Sequence, residues 1–256
     1  MISVSDARSE SESELDLALA AELQAALLPA LSPPPCPHYR AAALNRMCGS
    51  VGGDFYDFIR LNEDQVAWIV GDVVGHGVRA SLLMAKIMGF LRTNPLECSR
   101  PKQMVTALNE MLLDLGDRTG SVMCCSMLYA VIDAPSGIAF FVNAGHPMPF
   151  LCNTKRCAAV HLGPRNILLG VQEFDPKEAC HTFQPGERMV LYTDGIIDAT
   201  DPDADRFGSR RLHEVIQATS ERSPAQCAEA VFQAVEDFRR SARQGDDETI
   251  LVIDRV

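Results

Sequence analysis

Residues 51–77 narrow the fold further than any other stretch. Val51-Gly52-Gly53-Asp54-Phe55-Tyr56-Asp57-Phe58 reads as an apolar strand climbing to Ile59. A turn follows at Asn62-Glu63-Asp64, and Val66-Ala67-Trp68-Ile69-Val70 returns into Gly71-Asp72-Val73-Val74-Gly75-His76-Gly77. Such a hairpin sets Asp54, near the start of one strand, beside Asp72, at the end of the other. Two adjacent carboxylates at the rim of an apolar sheet repel, and each takes up a proton unless a cation sits between them. A bound metal ion is the usual remedy.

The remainder reads in order. Residues 1 to about 12 are Ser- and Glu-rich without apolar periodicity, which predicts a disordered tail. From Ser13 to Leu28 an amphipathic helix is expected, with Leu15, Leu19, Leu23 and Leu27 at every fourth position. Pro29 ends it, and Pro33, Pro34, Pro35 and Pro37 make a stiff linker. The boundary therefore separates residues 1–28 from a domain over 29–256. After the hairpin, a helix over Val78–Arg92 is apolar on nearly all sides, which implies burial against a sheet. A second helix is expected over Pro101–Leu115, with Pro101 in its first turn. Strands follow near 122–132, 138–142, 148–152, 180–183 and 189–192, then helices near 209–218 and 224–240 and a last strand over 249–253. Strands in meander order with helices in pairs predict an α+β layered fold, not alternating βαβ units.

Composition excludes several functions. A formal net charge of −11 argues against nucleic acid or an anionic membrane as a surface partner, although not against a site that holds cations. No apolar run reaches the ~18 residues of a membrane span, and no basic segment precedes an apolar one at the start. The nine cysteines are scattered and contain no C-x-x-C pair, so neither a zinc knuckle nor a disulfide scaffold is indicated. Reduced cysteines of this kind suit a cytoplasmic protein.

Further acids resemble the first pair. Asp194 follows Met189-Val190-Leu191-Tyr192 and precedes Gly195; Asp246 and Asp247 follow Gly245 and precede the terminal strand. An Asp at a strand end beside a Gly lets backbone and water approach an ion closely. Taken singly, each is an ordinary turn or cap residue. Together, Asp54, Asp72, Asp194 and Asp246 make an all-oxygen set that suits Mg²⁺ or Mn²⁺ and not Zn²⁺.

Five words occur in a fixed order: Gly52-Gly53-Asp54-Phe55-Tyr56-Asp57, Gly71-Asp72-Val73-x-Gly75-x-Gly77, Asn143-Ala144-Gly145-His146-Pro147, Tyr192-Thr193-Asp194-Gly195 and Asp246-Asp247-x-Thr249. In that order they resemble the PPM (type-2C) metal-dependent serine/threonine phosphatases, in the bacterial SpoIIE-type branch. Leu23-Gln24-x-x-Leu27-Leu28-Pro29 is similar to the helix leading into that domain, so the resemblance covers roughly residues 20–255. It implies a four-layer α-β-β-α sandwich with a binuclear Mn²⁺/Mg²⁺ centre at one end. By position, Asp72 bridges two ions and the Val73 carbonyl binds one, while Asp54, Asp194 and Asp246 supply further ligands, directly or through water. Asp247 falls in a supporting position. The implied reaction is in-line attack on phosphorus by metal-activated water, with no phosphoenzyme. The implied substrate is a phosphorylated protein, specifically a STAS-domain anti-sigma antagonist in a partner-switching pathway. His76 stands where Lys is common, Val74 where a small polar residue is common, and Asp198 where Glu is common. None of these removes a proposed ligand. Asn143 and His146 are expected to shape a turn, His76 to be solvated, and Arg79 is a candidate for binding phosphate.

Rival readings fit less well. Gly75-x-Gly77-x-x-Ala80 matches a dinucleotide fingerprint, but Asp72 would repel the pyrophosphate and the following helix leads to another helix. Gly52-Gly53-Asp54-Phe55 resembles the GGDEF signature of diguanylate cyclases, yet Phe55 replaces its Glu. No Cys has an Arg six positions later, so a cysteine-dependent phosphatase lacks its thiolate–Arg pair. The alternative from another class is a non-catalytic binding module that keeps the fold; such modules lose acids, and this chain keeps all four. The leucine stripe of the first helix is too short to be stable alone. It must pack on its own domain or pair with another subunit as a homodimer.

Overall fold

The structure, a computed structural model, describes residues 4–29, 36–94, 99–153, 156–159 and 164–256. Helix α1 spans Val4–Leu27, strand β1 Tyr39–Arg46, β2 Phe55–Arg60, β3 Gln65–Val73, α2 Gly77–Thr93 and α3 Pro101–Thr119. Strands β4 (Cys125–Asp133), β5 (Ile138–Ala144), β6 (Phe150–Asn153), β7 (Arg156–Ala159), β8 (Arg165–Asn166), β9 (Ala179–Thr182) and β10 (Arg188–Tyr192) follow. The short α4 (Asp194–Asp198), then α5 (Gly208–Ala218), α6 (Pro224–Arg239) and β11 (Glu248–Arg255) complete the described elements.

Two sheets stack. One runs β2-β3-β4-β5-β8 with β9 also on β5; the other runs β1-β11-β10-β6-β7. Three apolar layers hold the sandwich together. Between the sheets lie Tyr56, Trp68, Leu128, Phe141, Leu191 and Leu251. The outer face of the first sheet meets α2 and α3 through residues such as Ile69, Met84, Ile87, Leu108 and Tyr129. The outer face of the second meets α5 and α6 through Val190, Leu212, Ile216, Val231 and Val252. Alternate residues of β3, β10 and β11 thus feed opposite layers, and both faces being buried explains their near-continuous apolar runs. The result is the expected four-layer α-β-β-α arrangement.

Three expectations need correction, and one strand was not expected at all. Helix α1 begins at Val4 and not at Ser13, so the stretch expected as tail is helical from Val4. Helix α2 is not covered all round, since Val78 and Leu82 are exposed. Strand β1 had no expectation; its Ala41-Ala42-Ala43 core carries little β-propensity, and pairing with β11 from Tyr39↔Arg255 to Arg46↔Glu248 sets its conformation. Cys152 is disulfide-bonded, whereas Cys36, Cys48, Cys124, Cys125, Cys180 and Cys227 are free. The stiff linker at Pro33–Pro35 lies outside the described residues. No helix among the described residues is long and apolar enough to cross a membrane.

Within this chain the outward leucines of α1 stay uncovered: Leu15, Leu19 and Leu23 are 62%, 50% and 70% exposed. The helix is tied down only near its end, where Leu28 packs on two of the cores and Pro29 O accepts a hydrogen bond from Tyr56 Oη at 3.2 Å.

Candidate metal centre

The hairpin pairs Phe55 with Gly71 at its open end, so Asp54 and Asp72 stand next to each other one step beyond. Asp54 is 1% exposed. Its Oδ2 accepts hydrogen bonds from Thr193 Oγ1 at 2.7 Å and Thr249 Oγ1 at 2.6 Å. Its Oδ1 is buried and meets no donor. Burial, then the charge of Asp72, pushes the Asp54 carboxyl well above the usual carboxylate range against the pull of the two hydroxyls. Asp72 rises to about 8, chiefly through burial and then through Asp194, Asp246 and Asp247, with its side-chain contact to Asp54 opposing the rise. The rim is short of positive charge.

The other two acids arrive from the second sheet. Thr193 precedes α4, whose first residue is Asp194. A Cβ on Gly195 would fall 1.9 Å from Asp247 O and 3.4 Å from Asp246 Cβ, so only glycine lets α4 press against the entry to β11. Burial raises Asp194, Asp198 adds to this, and the N–H groups of Asp194 and Gly195 oppose it. Asp246 is raised by burial first, with Asp194 and Asp247 adding and His76 opposing, while its Oδ1 accepts the Asp247 N–H at 2.8 Å. Asp247 faces the other way. Its Oδ1 accepts from Cys48 N at 2.7 Å, and its Oδ2 from Gly53 N at 2.7 Å and Asp54 N at 3.4 Å. That carboxylate is committed to the backbone of the turn carrying Asp54.

Asp54 and Asp72 therefore adjoin, and Asp194 and Asp246 lie near enough to add to the rise at Asp72. Among the described residues, however, no three His, Cys, Asp or Glu side chains converge closely enough to hold an ion as they stand. The donor chemistry fits a divalent, oxygen-seeking cation: a bare buried Asp54 Oδ1 and an Asp72 that otherwise protonates.

The remaining sequence candidates divide. The Val73 carbonyl lies over Gly53, where a Cβ would stand 2.8 Å from it. His76 is exposed beside Asp246 and makes no capping bond to α2. Asn143 closes a turn, its Nδ2 donating to His146 O at 3.1 Å and its Oδ1 accepting from His146 N at 2.8 Å. His146 is 1% exposed, and burial drops its pKa to about 3, so the ring is neutral. Its Nδ1 lies 2.8 Å from Ser126 Oγ, behind Asp72, whose register partner is Ser126, and its buried Nε2 meets no partner among the described residues. Arg79 lines a cleft of about 310 Å³ with Val73, Val74, His76 and Cys124; none of the four aspartates is among its lining residues. Thr193 and Thr249 sat inside the quoted motifs without a role; their spacing from Asp194 and Asp246 was the available signal.

The sequence profile of the family described as Stage II sporulation protein E (SpoIIE) matches residues 62–256. Protein IcfG of Synechocystis sp. is 29% identical over 230 residues, covering 80% of this chain and 36% of IcfG. Phosphoserine phosphatase RsbU of Bacillus subtilis is 26% identical over 149 residues, covering 58% of this chain and 43% of RsbU. The chain thus spans less than half the length of either. Among solved structures, the SiaA-PP2C domain of Pseudomonas aeruginosa superposes with a TM-score of 0.83 at 20% identity, covering 97% of this chain and 98% of that one. The catalytic domain of the serine threonine protein phosphatase PstP, described in complex with 2 manganese ions, superposes at 0.63 with 14% identity, covering 86% and 99%. With its family profile matched over most of its length and its fold shared with PP2C domains, the chain belongs to the SpoIIE family, a branch of the PPM-type phosphatases.

Proposed function

We propose that this chain is a Mn²⁺- or Mg²⁺-dependent protein serine/threonine phosphatase acting on phosphoserine or phosphothreonine. The observation that carries the reading is the Asp54–Asp72 pair, buried, mutually repelling, and flanked by Asp194 and Asp246. In this reading Asp54, Asp72, Asp194, Asp246 and the Val73 carbonyl hold the ions, two by family resemblance. Bound divalent cations supply a water of lowered pKa and neutralise charge on the phosphoryl group. The chain does the rest. Thr193 and Thr249 fix Asp54 Oδ2 so that Oδ1 is left for the ion, and Asp247 holds the turn beneath it. Arg79, the guanidinium among the cleft-lining residues, meets the incoming phosphate. The exposed Val74, Val78, Leu82 and Val122 offer an apolar rim to a protein substrate. That substrate, by family resemblance, is a STAS-domain anti-sigma antagonist, and the similarity to the phosphoserine phosphatase RsbU supports the chemical class.

Turnover of an aryl phosphate should require Mn²⁺ and vanish on chelation, and Asp72→Asn should abolish it without unfolding the chain. Equal turnover with and without metal, or none with metal, counts against the proposal. Arg79→Ala should raise KM about tenfold while moving kcat little; an unchanged KM removes Arg79 from phosphate binding. A non-catalytic binding module is the second reading, favoured by the lack of a closed three-carboxylate cage. It predicts no turnover at any Mn²⁺ concentration.

A further inference from the structure

The two hydroxyls that hold Asp54 are themselves constrained in direction. Thr193 and Thr249 are fully buried, and both place Oγ1 on Asp54 Oδ2, at 2.7 and 2.6 Å. They come from the opposite sheet. Leu191 and Leu251 face the layer between the sheets, as Tyr56 does from β2, so Thr193, Thr249 and Asp54, each two places away from one of these, meet across that layer. A hydroxyl carries one proton and accepts others on its lone pairs. The accepting side of each is already in use. Thr193 Oγ1 accepts the backbone N–H of Thr249 at 2.9 Å, and Thr249 Oγ1 accepts from Asn45 Nδ2 at 2.8 Å. Those two nitrogens only donate, so each hydroxyl is left to turn its own proton to the carboxylate. Asp54 is thereby held with Oδ2 doubly engaged and Oδ1, buried and meeting no donor, left over. Asn45 begins this relay from β1, directly across from Thr249 in the β1–β11 register.

We infer that Asn45 is a positioning residue for Asp54: by donating to Thr249 it sets the direction of that hydroxyl, and the paired hydroxyls fix which carboxylate oxygen is presented to a cation. The cation half of this statement rests on the proposed phosphatase reading; the hydrogen-bond half does not. Groups that orient metal ligands change affinity about 10- to 100-fold when removed. The direction of the relay makes the more conservative substitution the more damaging one. Asn45→Asp keeps the size and shape of the amide, yet an ionised carboxylate there accepts and cannot donate, so it draws the Thr249 hydroxyl away from Asp54 Oδ2. Asn45→Leu takes away the donor without offering a rival acceptor.

Neutron diffraction from deuterium-exchanged, metal-free crystals of the parent reads the direction itself. Both threonine deuterons should point to Asp54 Oδ2, with a deuteron of Asn45 Nδ2 pointing to Thr249 Oγ1. A Thr249 deuteron aimed at Asn45 overturns the inference, and no variant has to fold for this to be seen. Mn²⁺ calorimetry at pH 8 then reads the consequence. Asn45→Asp should bind roughly tenfold more weakly than the parent, with Asn45→Leu between the two. Packing alone predicts the reverse order, and so does the added negative charge, which by itself attracts the cation. Binding by Asn45→Asp as tight as that of Asn45→Leu, or tighter, therefore overturns the coupling to the ion. Should either variant fail to fold, Thr249→Val against Thr249→Ser decides: the valine should weaken Mn²⁺ binding and the serine restore it, and equal binding by the two overturns the coupling. A parent protein that binds no Mn²⁺ overturns the phosphatase reading and the coupling with it, leaving the deuteron positions to judge the relay.

Discussion

At the scale of single residues, Asp72 concentrates the cost of the site. A carboxyl whose folded pKa is raised from 3.8 to about 8 is favoured in its protonated form by the folded state. The folded chain then binds more protons than the unfolded one between those values, so metal-free stability is greatest at low pH and falls as pH climbs toward 8. Between pH 5.5 and 8 the metal-free protein should lose roughly 5 °C of melting temperature. Mn²⁺ should return that loss at pH 8 and do little at pH 5.5, because ion and proton compete for the same oxygens. Calorimetric melts with and without Mn²⁺ check both points; a metal-free melting temperature that rises over this window would contradict the sign. Asp57, from the same motif, belongs to the structure and not to the site. It is 3% exposed and takes Arg92 Nε at 2.7 Å, tying β2 to the end of α2. Asp57→Ala should cost about 1 kcal/mol, because Arg92 is 39% exposed and stays solvated, with Mn²⁺ affinity of the folded protein near that of the parent.

At the scale of elements, what could be read in advance depended on whether an element carried its own signal. The hairpin was legible because an apolar strand pair, its turn and both acids lie within 27 residues, and the observed register joins the two as expected. The last helix carries its own start signal, since Ser223 and Gln226 form a reciprocal capping box around Pro224, the first residue of α6. Strand β1, by contrast, has alanines where a strand usually has branched residues, and only its distant partner β11 reveals it. Asn45 and the two threonines were invisible as partners for a similar reason, since a hydrogen bond across 204 or 139 positions leaves no local trace. Helix α1 raises the remaining question at this scale. Pairing with a second copy would cover Leu15, Leu19 and Leu23. Sedimentation should show a dimer that Leu19→Glu converts to monomer; one species at all concentrations in both proteins would remove the helix as a subunit contact.

At the scale of the whole molecule, the sandwich works as a means of bringing four segments to one end. Asp54 and Asp72 come from the first sheet, Asp194 and Asp246 from the second, with His146 buried behind the first pair. The order of motifs along the chain pointed to this meeting place, but the lack of a closed ligand cage among the described residues did not show in any motif. Cation binding is therefore expected to draw Asp194 and Asp246 toward Asp72. The most direct measurement is anomalous diffraction from crystals grown with Mn²⁺. Peaks between Asp72, Asp54, Asp194 and Asp246, absent in Asp72→Asn, are the predicted result. Manganese density elsewhere on the protein, with these four carboxylates left unliganded, would contradict the account.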